Sequence, residues 1–115
     1  MHVHVFHTTG IRDSWAGDNS VQPDAFSFRS GVTTMVDAGS SGWSNFPEFK
    51  DRVIDRSKTR VLALLNIVGK GMGRARKIEQ EVADMDEKAT AAPARSYNVM
   101  WVGHKQTNIS GPVWP

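Results

Sequence analysis

Apolar and polar positions change rhythm along this chain in a repeated way: a short run of β-formers, a polar stretch, then helical spacing. The first run is Met1 to His7, where Val3 and Val5 alternate with His2 and His4. A period of two marks a strand with two different faces. Thr8 to Ser20 is polar and glycine-containing and reads as a loop. Gln22 to Ser30 follows as a short helix, with Pro23 in its first turn, Asp24 near its positive end and Gly31 as its stop. The β-branched run Val32 to Asp37 predicts a second strand, and Ala38 to Gly42 a tight loop of small residues. Phe46, Phe49, Val53 and Ile54 fall at helical spacing and predict an amphipathic helix over Phe46 to Ser57.

Thr59 to Ile67 is the third predicted strand. Its centre, Val61-Leu62-Ala63-Leu64-Leu65, is apolar on both faces, as in a parallel strand covered from both sides. Gly69 to Gly73 is a glycine-rich loop without the Gly-Lys-Ser/Thr ending of a phosphate loop. Ile78, Val82 and Met85 predict a helix over Ala75 to Met85. Asp86 is placed to cap another over Glu87 to Ser96, which Pro93 is expected to kink or break. Val99 to Lys105 is the fourth strand, followed by a loop.

Strands alternating with helices imply right-handed βαβ units and a parallel sheet. The expected fold class is therefore α/β, either as a doubly wound sheet or as a slice of a (β/α)8 barrel. In both, chemistry gathers at the carboxyl ends of the strands, here after Phe6, Asp37, Ile67 and Lys105. No Gly-X-Gly-X-X-Gly follows the first strand, which weighs against a nucleotide-binding sheet.

Composition narrows the partners. The formal charge is +2, and Lys and Arg are interspersed with Asp and Glu. A nucleic-acid face would want a basic stripe with interleaved aromatics, so nucleic acid is not an expected partner. The absence of cysteine excludes disulfides and zinc–thiolate sites and fits a cytoplasmic protein. No apolar run approaches the roughly 18 residues of a membrane span, and no basic-then-apolar leader precedes His2. The 115 residues suit one small domain, 1–115. The chain opens directly on a strand and closes on a loop-like Gly111-Pro112-Val113-Trp114-Pro115, so both ends read as truncations.

Against this background the histidines stand out. On a strand, His2 and His4 share a face, and one strand can thus offer two imidazoles to one metal ion. Such a pair also arises by accident, and His7 reads as a loop residue. Lys105 closes the fourth strand, where a lysine is ordinarily a solvated charge. If it points inward, Gly103 and Trp101 do too, while Val102 and His104 face the helices, His104 as a core histidine. Ser40, Ser41 and Asn66, at strand ends, are candidates for hydrogen bonds to a substrate, although turn chemistry accounts for the same residues.

Several of these segments resemble the amidohydrolase superfamily. Arg29-Ser30-Gly31-Val32-Thr33-Thr34-Met35-Val36-Asp37-Ala38-Gly39-Ser40 resembles the Gly-Val-Thr-Thr-Val-Val-Asp-Ala-Gly segment of that family's second barrel strand. Leu65-Asn66-Ile67 is similar to the end of its third strand. Val102-Gly103-His104-Lys105 resembles its Val-Gly-Ile-Lys strand, and His2-Val3-His4 its His-X-His pair. The closest branch is the dihydroorotase-like deacetylases, many of them labelled dihydroorotase or adenine deaminase.

The resemblance implies a partial (β/α)8 TIM-type barrel: strands 1–4 with their intervening helices, the N-terminal half. It implies a binuclear site for divalent metal, zinc in the first instance, with His2, His4 and a carboxylated Lys105 (a carbamate) as ligands. The implied activity is metal-dependent hydrolysis of amide or ester bonds in a small-molecule substrate. The family's two later histidine ligands and catalytic aspartate come from strands five, six and eight. No catalytic residue is therefore assigned within these 115 residues, which are expected to be inactive alone. Phe6 stands where dihydroorotases carry the arginine of a His-X-His-X-Arg pattern, which disfavours dihydroorotase itself. The competing reading is a non-catalytic α/β fragment whose histidines do no work. Open first and fourth strands, with Phe6 and Trp101 as candidates for the inner face, further predict a homo-oligomer.

Overall fold

The computed structural model describes residues 2–6, 21–72, 81–97 and 101–105, with the backbone alone at His2 and at 101–105. A parallel sheet organises them. Its strands are β1 (His2–Val3), β2 (Thr34–Gly42), β3 (Arg60–Asn66) and β4 (Trp101–Lys105), lying side by side in chain order. Each pairs in parallel with the next. A doubly wound sheet would interleave its strands, and these are not interleaved.

The core explains the apolar spacing. Met35 of β2 and Val61, Ala63 and Leu65 of β3 are buried together with Phe46, Phe49 and Val53. The three latter residues come from α2 (Phe46–Phe49) and the π-helical turn Lys50–Ile54 that continues it. Their rings interlock, Phe46 and Phe49 edge to face at 6.0 Å and Phe49 with Phe6 at 5.0 Å. Phe6 therefore belongs to the helix-side core, not to the inner face expected of it. The period of two breaks because β1 ends at Val3, so Val5 and Phe6 are both buried in that core.

α1 (Pro23–Ser27) runs on into a 3₁₀ turn, Phe28–Ser30, closed by Gly31 as expected. The Asp24 carboxylate accepts the N–H groups of Lys58 and Thr59 at 3.0 and 2.8 Å and the Thr59 hydroxyl at 2.7 Å, tying α1 to the entry of β3. Those backbone N–H groups hold its pKa below the ordinary carboxylate value.

Further expectations change. Ala38 to Gly42, read as a loop, extends β2, with a register shift between Ala38 and Gly42. The small residues are there for close approach. A Cβ on Gly42 would lie 1.8 Å from the Val68 carbonyl oxygen. Gly71 has φ +66°, and a Cβ there would lie 2.3 Å from the Ser40 carbonyl oxygen. Backbone bonds from Ser44 N–H to Gly69 O (2.8 Å) and from Met72 N–H to Ser40 O (3.2 Å) lock the two strand ends together.

The expected helix over Ala75 to Met85 falls partly on residues 73–80, outside the described residues. Its described part is a 3₁₀ turn, Val82–Asp84, with Val82 exposed. The Asp84 carboxylate accepts the Gly69 N–H at 3.0 Å and Met85 bridges to Val68, drawing the segment to the end of β3 instead of into a helix. α3 (Glu87–Ser96) begins as predicted, its Asp86 cap accepting the Ala89 N–H at 2.8 Å. Pro93 does not break it. A proline removes one rung of the ladder, and the Tyr97 N–H still bonds the Pro93 carbonyl at 2.9 Å.

Candidate functional site

Because the strands run parallel, their carboxyl ends share one edge of the sheet, and the chemistry-bearing residues can be followed along it. β1 is anchored there by Asp37 of β2, the register partner of Val3. Asp37 is fully buried. Its Oδ2 accepts the Val5 N–H at 2.8 Å, and its Oδ1 accepts the Ser40 N–H at 2.8 Å. Burial pushes its pKa above the ordinary carboxylate value, against the pull of these donors.

Ser40 in turn meets the first strand. Its Oγ lies 3.1 Å from Nδ1 of His4. Ser40 thus stands between a buried carboxyl and His4, its N–H on Asp37 and its hydroxyl on a histidine 36 positions away.

Asn66, at the end of β3, is also fully buried, and its polar atoms serve backbone. Its amide donates to the Gly39 carbonyl at 3.2 Å and its oxygen accepts the Val68 N–H at 3.0 Å. It holds β2 to β3 and shapes the turn after β3. Ser41 is buried, and its hydroxyl has no partner among the described residues; the Trp43 indole N–H is in the same state.

His2 sits in β1 level with Val36, and Lys105 ends β4 level with Asn66, which is itself level with Gly42. Gly103 pairs with Leu64, His104 with Leu65 and Trp101 with Ala63, with a register shift between Ala63 and Leu64. The side chains of His2, Trp101, Val102, His104 and Lys105 lie outside the described residues, as does His7, so the structure brings together His4 and Ser40 of the expected set. Among the described residues, no three His, Asp or Glu side chains gather as a metal cage.

The residue that the sequence reading passed over is Asp37. Its signal was an acid at the end of a β-branched run, followed at once by Ala38-Gly39-Ser40, the pattern of a carboxylate that turns back on its own backbone. Chemically, the arrangement holds one imidazole at a strand edge against a serine whose backbone a buried carboxyl anchors.

No family model matches the chain. A deacetylase of Brucella anthropi is 34% identical over 118 residues, covering 99% of this chain and 28% of that protein. A deacetylase of Agrobacterium fabrum is 33% identical over 88 residues, 75% of this chain and 20% of its own length. Among solved structures, a dihydroorotase superposes with a TM-score of 0.70 at 29% identity, and an adenine deaminase with a TM-score of 0.74 at 27%. Each match covers 90% of this chain and 26% of the other. The chain therefore spans about a quarter of the length of the relatives it matches.

Proposed function

We propose that this chain, a relative of the deacetylases and of the amidohydrolase-superfamily dihydroorotase and adenine deaminase, supplies strands 1–4 of a (β/α)8 hydrolase barrel, with residues 1–115 as its N-terminal half. The reaction is hydrolysis of an amide or ester bond in a small acylated molecule, of deacetylase or cyclic amidohydrolase type. The order of the four parallel strands and the common edge of their carboxyl ends support the barrel. No helix among the described residues is long and apolar enough to cross a membrane, and we place the activity in the cytoplasm.

The donor set suits divalent metal, zinc being the first choice. His2 and His4 offer neutral imidazoles one residue apart. Lys105 as an ammonium repels a cation. Its neutral amine, on adding carbon dioxide and releasing one proton, becomes a carbamate with two anionic oxygens, which could serve two ions. Bound divalent metal supplies Lewis acidity and an acidified water. The chain's own residues hold the donors. Asp37 and Ser40 fix the exit of β1 and the ring of His4, and Asn66 fixes the end of β3. Of the substrate candidates Ser40, Ser41 and Asn66, Asn66 is committed to backbone and Ser40 to Asp37 and His4. That leaves the Ser41 hydroxyl for a ligand.

The observation that carries this reading is His4 at the carboxyl edge, bonded to a serine that a buried carboxylate anchors. A non-catalytic fragment would not need that arrangement. Titration of the chain with cobalt(II), followed by its visible absorption, tests it. Binding is expected, weakened at least about tenfold by His4→Ala and by His2→Ala, as for loss of groups that hold a metal. Absence of binding, or binding that both variants leave unchanged, would give the fragment reading the advantage. β1 and β4 each present one edge unpaired among the described residues. Self-association is expected, and sedimentation as a single monomeric species at high concentration would refute it.

A further inference from the structure

We propose that the cavity beyond the carboxyl end of β3, between the turn at Lys70 and the segment Glu81–Asp84, binds a small zwitterion, with the ligand's carboxylate on Lys70 and its ammonium on Glu81 and Asp84. The cavity has a volume of about 360 Å³ and is lined by Lys70, Glu81, Ala83 and Asp84. That lies low in the range of roughly 300–1,000 Å³ for small-molecule sites, and suits a ligand the size of an amino acid.

Charges of both signs are unspent around this space. Along α2 and the turns after it, cations have found their anions: Lys50 meets Asp55 at 2.6 Å, Arg52 meets Glu48 at 2.7 Å and Arg56 meets Asp51 at 3.5 Å. Lys70, Glu81 and Asp84 line one cavity, yet none of them forms an ion pair among the described residues. Opposite charges that share a space without meeting leave a gap, and a ligand with one charge at each end bridges it. Its carboxylate accepts from the lysine ammonium, and its ammonium has three protons to give to the two carboxylates. A ligand with a single charge answers only one wall.

Both walls are held in place. Ser44 gives its N–H (2.8 Å) and its hydroxyl (2.5 Å) to the Gly69 carbonyl, and the Asn45 amide donates to the Lys70 carbonyl at 3.1 Å. The Gly71 N–H closes the turn on the Val68 carbonyl at 2.9 Å. On the other wall, Asp84 Oδ2 accepts the Gly69 N–H at 3.0 Å, which leaves Oδ1 without a hydrogen bond among the described residues. The Trp43 indole backs the same point: a Cβ on Gly69 would lie 2.9 Å from its Cε2 and 3.1 Å from Asp84 Oδ2. A fixed turn and a fixed carboxylate lower the ordering that a ligand must impose on binding.

This site stands apart from the metal-binding reading and does not need it. The test is a titration of the full ¹⁵N-labelled chain, followed in ¹H–¹⁵N spectra. The probes are 4-aminobutanoate, butanoate and butylamine, of equal chain length, carrying both charges, the negative one and the positive one. With 4-aminobutanoate the amides of Gly69, Lys70, Gly71, Ala83 and Asp84 should shift together and saturate, with a Kd at least about tenfold below that of either single-charge probe. Lys70 and Glu81 are exposed, so their replacement spares the fold. Lys70→Met keeps the side-chain stem and should reduce the affinity for 4-aminobutanoate to that for butylamine. Glu81→Gln should weaken 4-aminobutanoate and butylamine together and leave butanoate unchanged. A zwitterion that binds no more tightly than butanoate or butylamine, shifts confined to other residues, or an affinity that Lys70→Met leaves unchanged overturns the inference. None of these readouts involves a metal, so the cobalt titration and this one fail or succeed separately.

Discussion

Replacing Asp37 with asparagine removes a charge and one acceptor from a site built of donors. In the wild type each carboxylate oxygen takes a backbone N–H at 2.8 Å, from Val5 on one side and Ser40 on the other. Asparagine keeps the shape but has a single oxygen. Whichever N–H that oxygen accepts, the amide NH₂ confronts the other, and neither can move to water because Asp37 is fully buried. One orphaned buried donor costs about 1–3 kcal/mol, and relief of the buried charge offsets part of it. The net loss expected is about 1–2 kcal/mol. For a chain of this size that lowers the melting temperature by roughly 4–12 °C, measured by circular dichroism at pH 7. The pH dependence has a definite sign. Burial raises the Asp37 carboxyl above its ordinary value of 3.8. Above that value the unfolded chain has released the proton while the folded chain still binds it, so this group's contribution to stability falls as pH rises through the window up to the folded pKa. Asparagine has no proton to bind. The advantage of the wild type over Asp37→Asn should therefore shrink as pH rises through that window. A variant that melts within about 1 °C of the wild type, or an advantage that grows with rising pH, would refute the account of Asp37 as a bonded carboxyl whose burial outweighs the pull of its donors.

Two further substitutions test the packing. Phe49→Ala empties a fully buried site shared with Phe6 and Phe46 and should cost about 3–5 kcal/mol in urea unfolding; a loss under about 1 kcal/mol would show a core that collapses freely around the gap. Gly71→Ala puts a methyl group 2.3 Å from the Ser40 carbonyl oxygen at a φ of +66°, and a loss of at least about 1–3 kcal/mol is expected, with an unchanged melting curve counting against the close approach.

Those parts of the fold that depend on neighbours in sequence were legible in the residues themselves. Phe46, Phe49 and Val53 repeat at helical spacing and do form one buried cluster. Asp86 caps the helix it precedes, and the apolar run in β3 lies between β2 and β4, although only the face of Val61, Ala63 and Leu65 is buried and Leu62 and Leu64 are half-buried. What escaped depends on partners far along the chain. Ala38 to Gly42 has the composition of a turn, and becomes strand because the backbone at Val68 to Met72 closes on it. Phe6 continues an alternating pattern, but Asp37, 32 residues from Val5, draws the backbone of Val5 to itself after Val3 has left the sheet. Val82 and Met85 keep helical spacing, yet Asp84 is claimed by the Gly69 N–H. In the candidate site, His4 was visible as a histidine on a strand. Its coupling to Asp37 through Ser40 was not, since nothing local to Ser40 distinguishes a serine that meets a distant histidine from a turn residue.

The close fit of Gly42 and Gly71 against opposing carbonyls has a consequence for how such a sheet can diversify. Loops at the carboxyl edge are where folds of this kind ordinarily accommodate insertions and new side chains. At the ends of β2 and β3 there is no room for a single added methyl group on either glycine. These two segments are closed to the drift that reshapes a rim, and any lineage that kept this interlock would have to write new substrate preferences into other loops.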